Sequence, residues 1–252
     1  FDDGVVIGSG RLHGAAVLAA AQEGGFMGGA VGEVHGAKLV GLLKRAVIER
    51  AGAVLLLLET GGVRLHEANA GLIAVSEVMR AVLDTRAAGI PVIVLIGGAN
   101  GCFGGMGIVA RCANAIIMSE EGRLAMSGPE VIETAAGVEE FDSRDRALVW
   151  RTTGGKHRYL LGDCHVIVPD EIGAFRDAAF SAMQDADRSE VALTLAELDA
   201  EQELLQQRLA RFGGRSDPVE IWTDLGIANP AAVPMLDAET FNTIAHAHRT
   251  GS

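Results

Sequence analysis

The sequence predicts an α/β fold with parallel strands joined by helices, and two observations carry this prediction. Short apolar runs of strand length alternate with longer segments whose apolar residues have helical spacing, a pattern typical of strands linked by right-handed helical crossovers. Aromatic residues make up only 4% of the 252 residues, so the core must be built from Ala, Val, Leu and Ile in thin layers. Such packing suits helices laid on a sheet.

The predicted elements follow one another in a regular order. Residues 5–7 and 15–21 have the pattern of two short strands joined across Gly8, Ser9 and Gly10. Later strands are predicted at 54–58, 92–96, 115–118 and 166–168, and helices at 34–50, 66–88, 104–112 and 170–187, with another helix beginning at Pro129. The later strands are continuous apolar runs, which indicates that both faces of the sheet are covered.

A helical appendix is predicted after the α/β part. Thr194 and Glu197 have the spacing of a capping box that begins a helix, and Gly213 ends it. One face of this helix is apolar and consists of Leu195, Leu198, Leu205, Leu209 and Phe212. We place a boundary near Arg188, which gives an α/β domain at 1–188 and an appendix at 189–252. The appendix docks either on its own domain or on a partner.

Composition argues against several classes of function. The 21 Lys and Arg against 33 Asp and Glu give a net charge of -12, which opposes binding to nucleic acid. The longest apolar runs are far shorter than the ~18 residues of a membrane helix, and no export signal is visible. Three cysteines and seven histidines without metal-ligand spacing indicate neither a disulfide framework nor a metal site. We expect a cytoplasmic protein that binds neither nucleic acid nor a membrane.

Glycine is frequent, with 33 Gly against 6 Pro, and two glycine pairs follow predicted strands. Gly61 and Gly62 follow strand 54–58, and Gly104 and Gly105 lie in the loop after strand 92–96. Such pairs leave backbone N–H groups unblocked at the beginning of a helix, where the helix dipole favours negative charge. Two such groups aimed at one point can stabilise a thioester enolate by ~3 to 4 kcal/mol per donor. The alternative is that these glycines only permit tight turns.

A second interpretation concerns residues 105–110, GMGIVA, which match the dinucleotide-binding pattern G-x-G-x-x-A. The first glycine of that pattern should directly follow its strand, but a long loop intervenes here. The helix is also too short for the usual crossover. A dinucleotide-binding or non-catalytic scaffold module is therefore the alternative from another class of function.

Four motifs in register resemble the carboxyltransferase family of the ClpP/crotonase superfamily. They are GFMGGAVG at 25–32, TGGVRLHE at 60–67, FGGMG at 103–107 and SGPEVIE at 127–133. Their order and spacing cover about residues 5–187. Within the family, GEVHGAK at 32–38 and RTTGGKHRY at 151–159 look like the beta subunits of biotin-independent malonate decarboxylases.

This resemblance implies a crotonase-like spiral of ββα units, to which the predicted C-terminal helical appendix is added. It also implies an enzyme that decarboxylates malonyl-S-acyl carrier protein together with a homologous gamma subunit. The chain then binds no cofactor directly, because the phosphopantetheine thioester arrives on the carrier protein. In the family, backbone N–H groups at the glycine pairs hold thioester oxygens, which points to Gly61, Gly62, Gly104 and Gly105 as catalytic residues.

The resemblance leaves two questions open. A carboxyltransferase subunit of a biotin-dependent acyl-CoA carboxylase or decarboxylase is the alternative within the superfamily, although the chain lacks the zinc-ribbon cysteines of the acetyl-CoA carboxylase counterpart. Glu130 stands where that counterpart has arginine and where enoyl-CoA hydratases carry a catalytic glutamate. It either takes part in acid–base chemistry or caps the beginning of a helix.

A basic segment adds an expectation about the substrate carrier. Residues 146–162 contain no Asp or Glu, but they contain Arg146, Arg151, Lys156 and Arg158. Carrier proteins are acidic and their prosthetic arm carries a phosphate, so we expect Arg151, Lys156 and Arg158 to bind the substrate. The alternative is that the acidic residues at 139–145 neutralise this segment.

Overall fold

The chain folds around a six-stranded sheet in a computed structural model that describes residues 3–186 and 191–250. The strands are β1 (Val5–Leu12), β2 (Ala15–Gln22), β3 (Ala53–Leu57), β4 (Val92–Ile96), β5 (Ala115–Ser119) and β6 (Val166–Val168). They lie side by side in chain order. β1 pairs antiparallel with β2, and every later pair is parallel, which confirms the predicted α/β arrangement.

The turn between β1 and β2 lies later than predicted. Gly8 pairs with Ala19 inside the hairpin instead of forming its turn. The turn residues are His13, with a φ of 45°, and Gly14, with a φ of 89°. Positive φ at both positions is what a two-residue hairpin turn requires, so backbone conformation and not glycine content places it.

Helices fill the segments between and after the strands. Those in the described ranges are α1 (Glu33–Glu49), α2 (Ala70–Ala87), α3 (Gly105–Arg111), α4 (Pro129–Ala136), α5 (Arg146–Thr153), α6 (Gly155–Leu160), α7 (Ile172–Asp185), α8 (Leu195–Phe212), α9 (Pro218–Asp224) and α10 (Ala238–Ala245). The helix predicted from residue 66 begins at Ala70, because Leu65–Glu67 form a 3-10 turn and Ala68 has a φ of 50°. Across these ranges, no helix has the length and apolar character needed to cross a membrane.

The two faces of the sheet carry separate cores. The larger core lies under α1, α2 and α3 and contains fully buried residues such as Leu43, Val78 and Val109. The smaller core lies under α7, where Ala179 packs with Leu55. Both faces are therefore covered, as the continuous apolar strands predicted.

A second, shorter layer of backbone pairs follows the carboxyl ends of the central strands. Thr60 pairs with Cys102, and Cys102 pairs in turn with Leu124, both in parallel. β3, β4 and β5 are thus each followed by a residue of this second layer and then by a helix. The repeated unit confirms the expected crotonase-like spiral.

The C-terminal appendix packs on its own chain through α9 and α10. Trp222 and Phe241 are each 1% exposed and share the larger core with Tyr159. The indole Nε1 of Trp222 donates to Nδ1 of His157 at 3.3 Å, and the rings of Tyr159 and Phe241 meet edge to face. The predicted boundary near Arg188 lies outside the described residues.

Helix α8 begins at the predicted capping box, but its apolar face points outward. Leu195 and Leu209 are 74% and 73% exposed. The contacts of α8 with the rest of the chain include ion pairs, such as Arg208 with Asp163 at 2.8 Å. The leucine face of this helix therefore does not supply the docking contact that α9 and α10 make.

Replacing Trp222 with alanine should destabilise the whole chain, because the indole fills the core between α9 and α6. We expect the free energy of unfolding to fall by about 3 to 5 kcal/mol, measured by urea denaturation. Thr223→Ala, at the exposed neighbouring position, is the matched control and should change stability by less than about 0.5 kcal/mol. Equal unfolding midpoints for the two variants would contradict docking through Trp222.

Stability should also fall in acid because of His157. Burial, followed by the charge of Arg158, lowers the pKa of His157 from 6.5 to about 3. Below pH 6.5, His157 binds a proton in the unfolded chain but not in the folded chain. The contribution of the neutral His157 to the free energy of unfolding is therefore fully present above pH 6.5 and is lost as the pH falls toward 3. Urea unfolding at about pH 7.5 and about pH 5 measures this loss. His157→Gln should reduce the difference between the two conditions, and an undiminished difference would exclude His157 as its source.

Candidate active site

The two glycine pairs singled out in the sequence meet in the second layer. Thr60 N donates to Gly101 O at 2.7 Å, and Phe103 N donates to Thr60 O at 2.9 Å, so the two loops are hydrogen-bonded side by side. A Cβ at Gly104 would lie 3.2 Å from Cα of Gly62. Residues that are separated by more than 40 positions in the chain therefore form one site.

Three of these four positions have a structural reason to be glycine. Gly62 and Gly104 have φ angles of +142° and +65°, in the region that side chains rarely adopt. A Cβ at Gly105 would lie 2.7 Å from Cγ1 of Val75 on α2. The backbone of both loops thus comes close to its neighbours at points where a side chain would interfere.

The four N–H groups have different partners. Gly61 N donates to Gly28 O at 2.8 Å, and Gly104 N donates to Met126 O at 2.9 Å, so both groups are used within the fold. Gly62 N makes only a longer bond, 3.2 Å, to the hydroxyl oxygen of Thr60. Gly105 is the first residue of α3, so its N–H has no acceptor within the helix, and none of the other described residues accepts from it. Gly62 and Gly105 therefore carry the donors that a ligand can use.

A network of charged side chains holds the loop that contains Gly61 and Gly62. The sequence did not predict this network. The Arg64 side chain is 4% exposed, and its Nη1 donates to Asp3 at 2.6 Å and to Glu67 at 3.1 Å. Glu67 also accepts from the backbone N–H of Glu33 at the beginning of α1. The network anchors residues 64–67 directly after Gly62, and its only sequence signal was the place of Arg64 in the TGGVRLHE motif.

Glu59 connects the two glycine loops from the side of the sheet. Its carboxylate accepts from the backbone N–H of Asn100 at 3.1 Å, and its own N–H donates to the Gln22 side chain at 3.1 Å. Gln22 is in turn 3.0 Å from Nε2 of the buried His35. Burial, with help from Arg64, lowers the pKa of His35 to about 4, so this contact is made by a neutral imidazole.

Cys102 lies in the second layer between the two loops but is not suited to nucleophilic chemistry. It is fully buried, and burial raises the pKa of its thiol well above the usual range. Within 3–186 and 191–250, no group of three or more His, Cys, Asp or Glu is placed to hold a metal ion.

Glu130 lies in the first turn of α4, directly after the buried Pro129. Its side chain is exposed, and its Oε2 is 3.7 Å from the Cβ position of Gly128. A carboxylate in the first turn interacts favourably with the helix dipole. Its suggested part in proton chemistry stays a prediction.

The three basic residues expected to bind the substrate make contacts within the chain. Lys156 Nζ donates to the carbonyl oxygens of Pro234, at 3.1 Å, and Leu236. Arg158 is held by Asp163 at 3.4 Å, and Arg151 lies 3.7 Å from Asp217. Burial lowers the pKa of both Lys156 and Arg158.

The three basic residues have partners within the chain, and their expected part in substrate binding stays a prediction. The partners of Lys156, Arg158 and Arg151 lie in the loop after α6 and in the appendix, not at 139–145 as the alternative supposed. The acids of that region are engaged locally, since Asp142 pairs with Arg144 and Asp145 caps α5. Lys156 and Arg151 thus hold the appendix against the domain.

Comparisons with known proteins agree with this architecture. A family model described as the carboxyl transferase domain matches residues 1–191. The chain is similar to malonyl-S-ACP:biotin-protein carboxyltransferase MADC of Malonomonas rubra, with 40% identity over 259 residues that cover 96% of the chain and 80% of the relative.

Two solved structures are similar in fold. The malonate decarboxylase hetero-tetramer of Pseudomonas, solved in complex with malonate, shares 43% identity at a TM-score of 0.69, over 73% of this chain and 67% of that one. Transcarboxylase 12S, solved with methylmalonyl-coenzyme A and methylmalonic acid bound, shares 26% identity at a TM-score of 0.60, over 71% of this chain and 33% of that one. The family match spans the sheet and both glycine loops, and the chain therefore belongs to the carboxyl transferase domain family, within which it is related to malonate decarboxylase.

Proposed function

We propose that this chain is the beta subunit of a biotin-independent malonate decarboxylase, a carbon–carbon lyase. It acts in the cytoplasm with a homologous gamma subunit and converts malonyl-S-acyl carrier protein to acetyl-S-acyl carrier protein. The observation that carries this proposal is the pair of adjoining N–H groups, those of Gly62 and Gly105, that are left for a ligand after the fold has used those of Gly61 and Gly104. Similarity to the Pseudomonas hetero-tetramer supports the partner subunit.

The chemistry explains why two backbone donors are the central requirement. The bond between the α-carbon and the carboxyl carbon of the malonyl thioester breaks, and carbon dioxide leaves. The electron pair left on the α-carbon forms a carbon–carbon double bond, and negative charge moves to the thioester oxygen. N–H groups placed at that oxygen stabilise the enolate as it forms.

The second half of the reaction needs a proton on the α-carbon, which gives the acetyl thioester. The glycine loops supply no acid for this step, and Glu130 is the residue of this chain that we keep as a candidate. The partner subunit contributes the groups that hold the malonyl carboxylate. The site is then shared between the two chains.

A second function is favoured by the similarity to the Malonomonas rubra carboxyltransferase. In that case the carboxyl group passes to biotin on another protein instead of leaving as carbon dioxide. The enolate and its two N–H donors are the same in both reactions. The two functions differ only in what accepts the carboxyl group.

Removing the Gly105 N–H should slow the reaction without unfolding the chain. Proline is tolerated at the first position of a helix, which is where Gly105 lies. A proline disfavours the α conformation at the residue before it, but Gly104, with φ 65° and ψ -142°, is not in that conformation. We therefore combine Gly105→Pro with Val75→Ala, which makes room for the ring. The turnover of malonyl-S-acyl carrier protein should fall about 100- to 1000-fold below that of Gly105→Ala with Val75→Ala.

The matched pair separates the donor from the packing. Both variants remove the same contact with Val75, and only one of them removes the N–H. Thermal unfolding checks that the two are equally folded. Equal turnover in two equally folded variants would show that the Gly105 N–H does not stabilise the enolate.

The choice between the two functions rests on the acceptor. The chain is combined with its partner subunit and malonyl-S-acyl carrier protein, biotin is omitted, and carbon dioxide release is followed. We expect release that requires both chains and does not change when biotin or a biotinylated protein is added. Release only in the presence of biotin would support the carboxyltransferase function instead.

A further inference from the structure

Two arginines share one indole ring beside the glycine loops. The guanidinium carbon of Arg123 lies 4.3 Å from the ring centroid of Trp150, and that of Arg146 lies 4.7 Å from it. Arg123 comes from the segment that pairs with Cys102, and its guanidinium is also 5.6 Å from the ring of Phe103. Phe103 directly precedes Gly104.

Arg123 is a buried cation with unused hydrogen-bonding capacity. The residue is 9% exposed, its Nη2 donates to the carbonyl oxygen of Ala99, and its buried Nε has no partner. Burial lowers the pKa of Arg123, and the negative charge of Glu130 partly opposes this by raising it. Among the described residues, no carboxylate lies within the 4 Å of an ion pair with Arg123.

Arg146 is also without an ion pair in the described part of the chain, and it is exposed. The nearest acids in sequence are occupied, since Asp145 accepts from Leu148 N and Asp142 pairs with Arg144. The two arginines carry like charges and repel one another, and the charge of Arg146 therefore contributes to lowering the pKa of Arg123. A bound anion would relieve this repulsion.

Arg151 and Arg158 differ from these two arginines, because each has a carboxylate within 4 Å. Lys156 donates to the carbonyl oxygens of Pro234 and Leu236. Glu130, Glu121 and Glu59 act on Arg123 only from a distance, without an ion pair. Among the described residues of this region, Arg123 and Arg146 are therefore the arginines without an ion pair, whereas Arg144, Arg151 and Arg158 each have one.

We propose that Arg123, Trp150 and Arg146 form a binding site for the phosphate of the pantetheine arm that carries the thioester. This inference rests on the proposed function and adds the site of the arm to it. A guanidinium group can donate to two oxygens of a phosphate, and stacking on the indole fixes the position of both arginines. The site adjoins Phe103, which directly precedes the Gly104 and Gly105 pair. The phosphate comes either from a carrier protein or from coenzyme A.

The test compares two thioesters that differ only by the phosphate, malonyl-phosphopantetheine and malonyl-pantetheine, with the chain and its partner subunit together. We expect the phosphate to raise kcat/KM about 10- to 100-fold in the natural protein, as charge-assisted hydrogen bonds do. Arg146→Gln should remove most of this advantage and leave the turnover of malonyl-pantetheine unchanged. Arg144→Gln, at a nearby exposed arginine, is the matched control and should retain the advantage.

An advantage that survives in Arg146→Gln, or that Arg144→Gln removes equally, would overturn the proposal. Arg123→Met tests the buried arginine, with thermal unfolding as its check. Binding of phosphopantetheine and pantetheine without a malonyl group, measured by calorimetry, gives a readout that needs no catalysis. If phosphopantetheine and pantetheine bind the natural protein with equal affinity, the proposed phosphate site is wrong. Phosphate-dependent binding without turnover of any malonyl thioester would instead contradict the proposed function.

The same variants identify the source of the phosphate. Malonyl-S-acyl carrier protein and malonyl-coenzyme A both carry a phosphate at this place in the arm. The substrate with the larger kcat/KM in the natural protein is the source, and its kcat/KM must fall in Arg146→Gln. If neither substrate loses kcat/KM in that variant, the site does not bind the arm.

Discussion

The site depends on one set of backbone hydrogen bonds, those that join the loops after β3, β4 and β5 in the second layer. Thr60 N to Gly101 O, Phe103 N to Thr60 O and Cys102 N to Arg123 O hold the three loops side by side. Buried N–H groups must find acceptors, so this pairing uses most of the donors in the loops. The N–H groups of Gly62 and Gly105 find no backbone acceptor in this pairing, and the hydrogen bonds of the neighbouring residues fix their position.

Donors made in this way have properties that side chains lack. A backbone N–H does not titrate, and it cannot rotate away because both neighbouring peptide groups are bonded. In this chain the surrounding charges reinforce that rigidity. Arg64 holds the residues after Gly62 through Asp3 and Glu67, and Glu59 holds Asn100 in the second loop. The carboxylates of Asp3, Glu67 and Glu59 therefore hold these loops in place.

Local pattern was sufficient for part of the fold. β4 and β6 have their predicted bounds, because a continuous apolar run bounded by Gly or Pro is a local property. The hairpin turn was misplaced because positive φ at His13 has no sequence signal as strong as that of glycine. The two glycine pairs were identified from the loops they occupy, yet which of their N–H groups remain for a ligand depends on Gly28 and Met126, far away in the chain. The hydrogen bonds of Lys156 are likewise made with carbonyl groups some 80 residues later in the chain, which the sequence around Lys156 does not indicate.

The proposed sharing of the site between two chains rests on the same geometry. In the proposed function, the N–H groups of Gly62 and Gly105 determine the position of the thioester oxygen, because they lie on loops that are hydrogen-bonded to one another. Loss of the carboxyl group as carbon dioxide and its transfer to an acceptor share the enolate held at that point. In this proposal, the groups that face the carboxyl group decide which reaction occurs, and we assign those groups to the partner subunit.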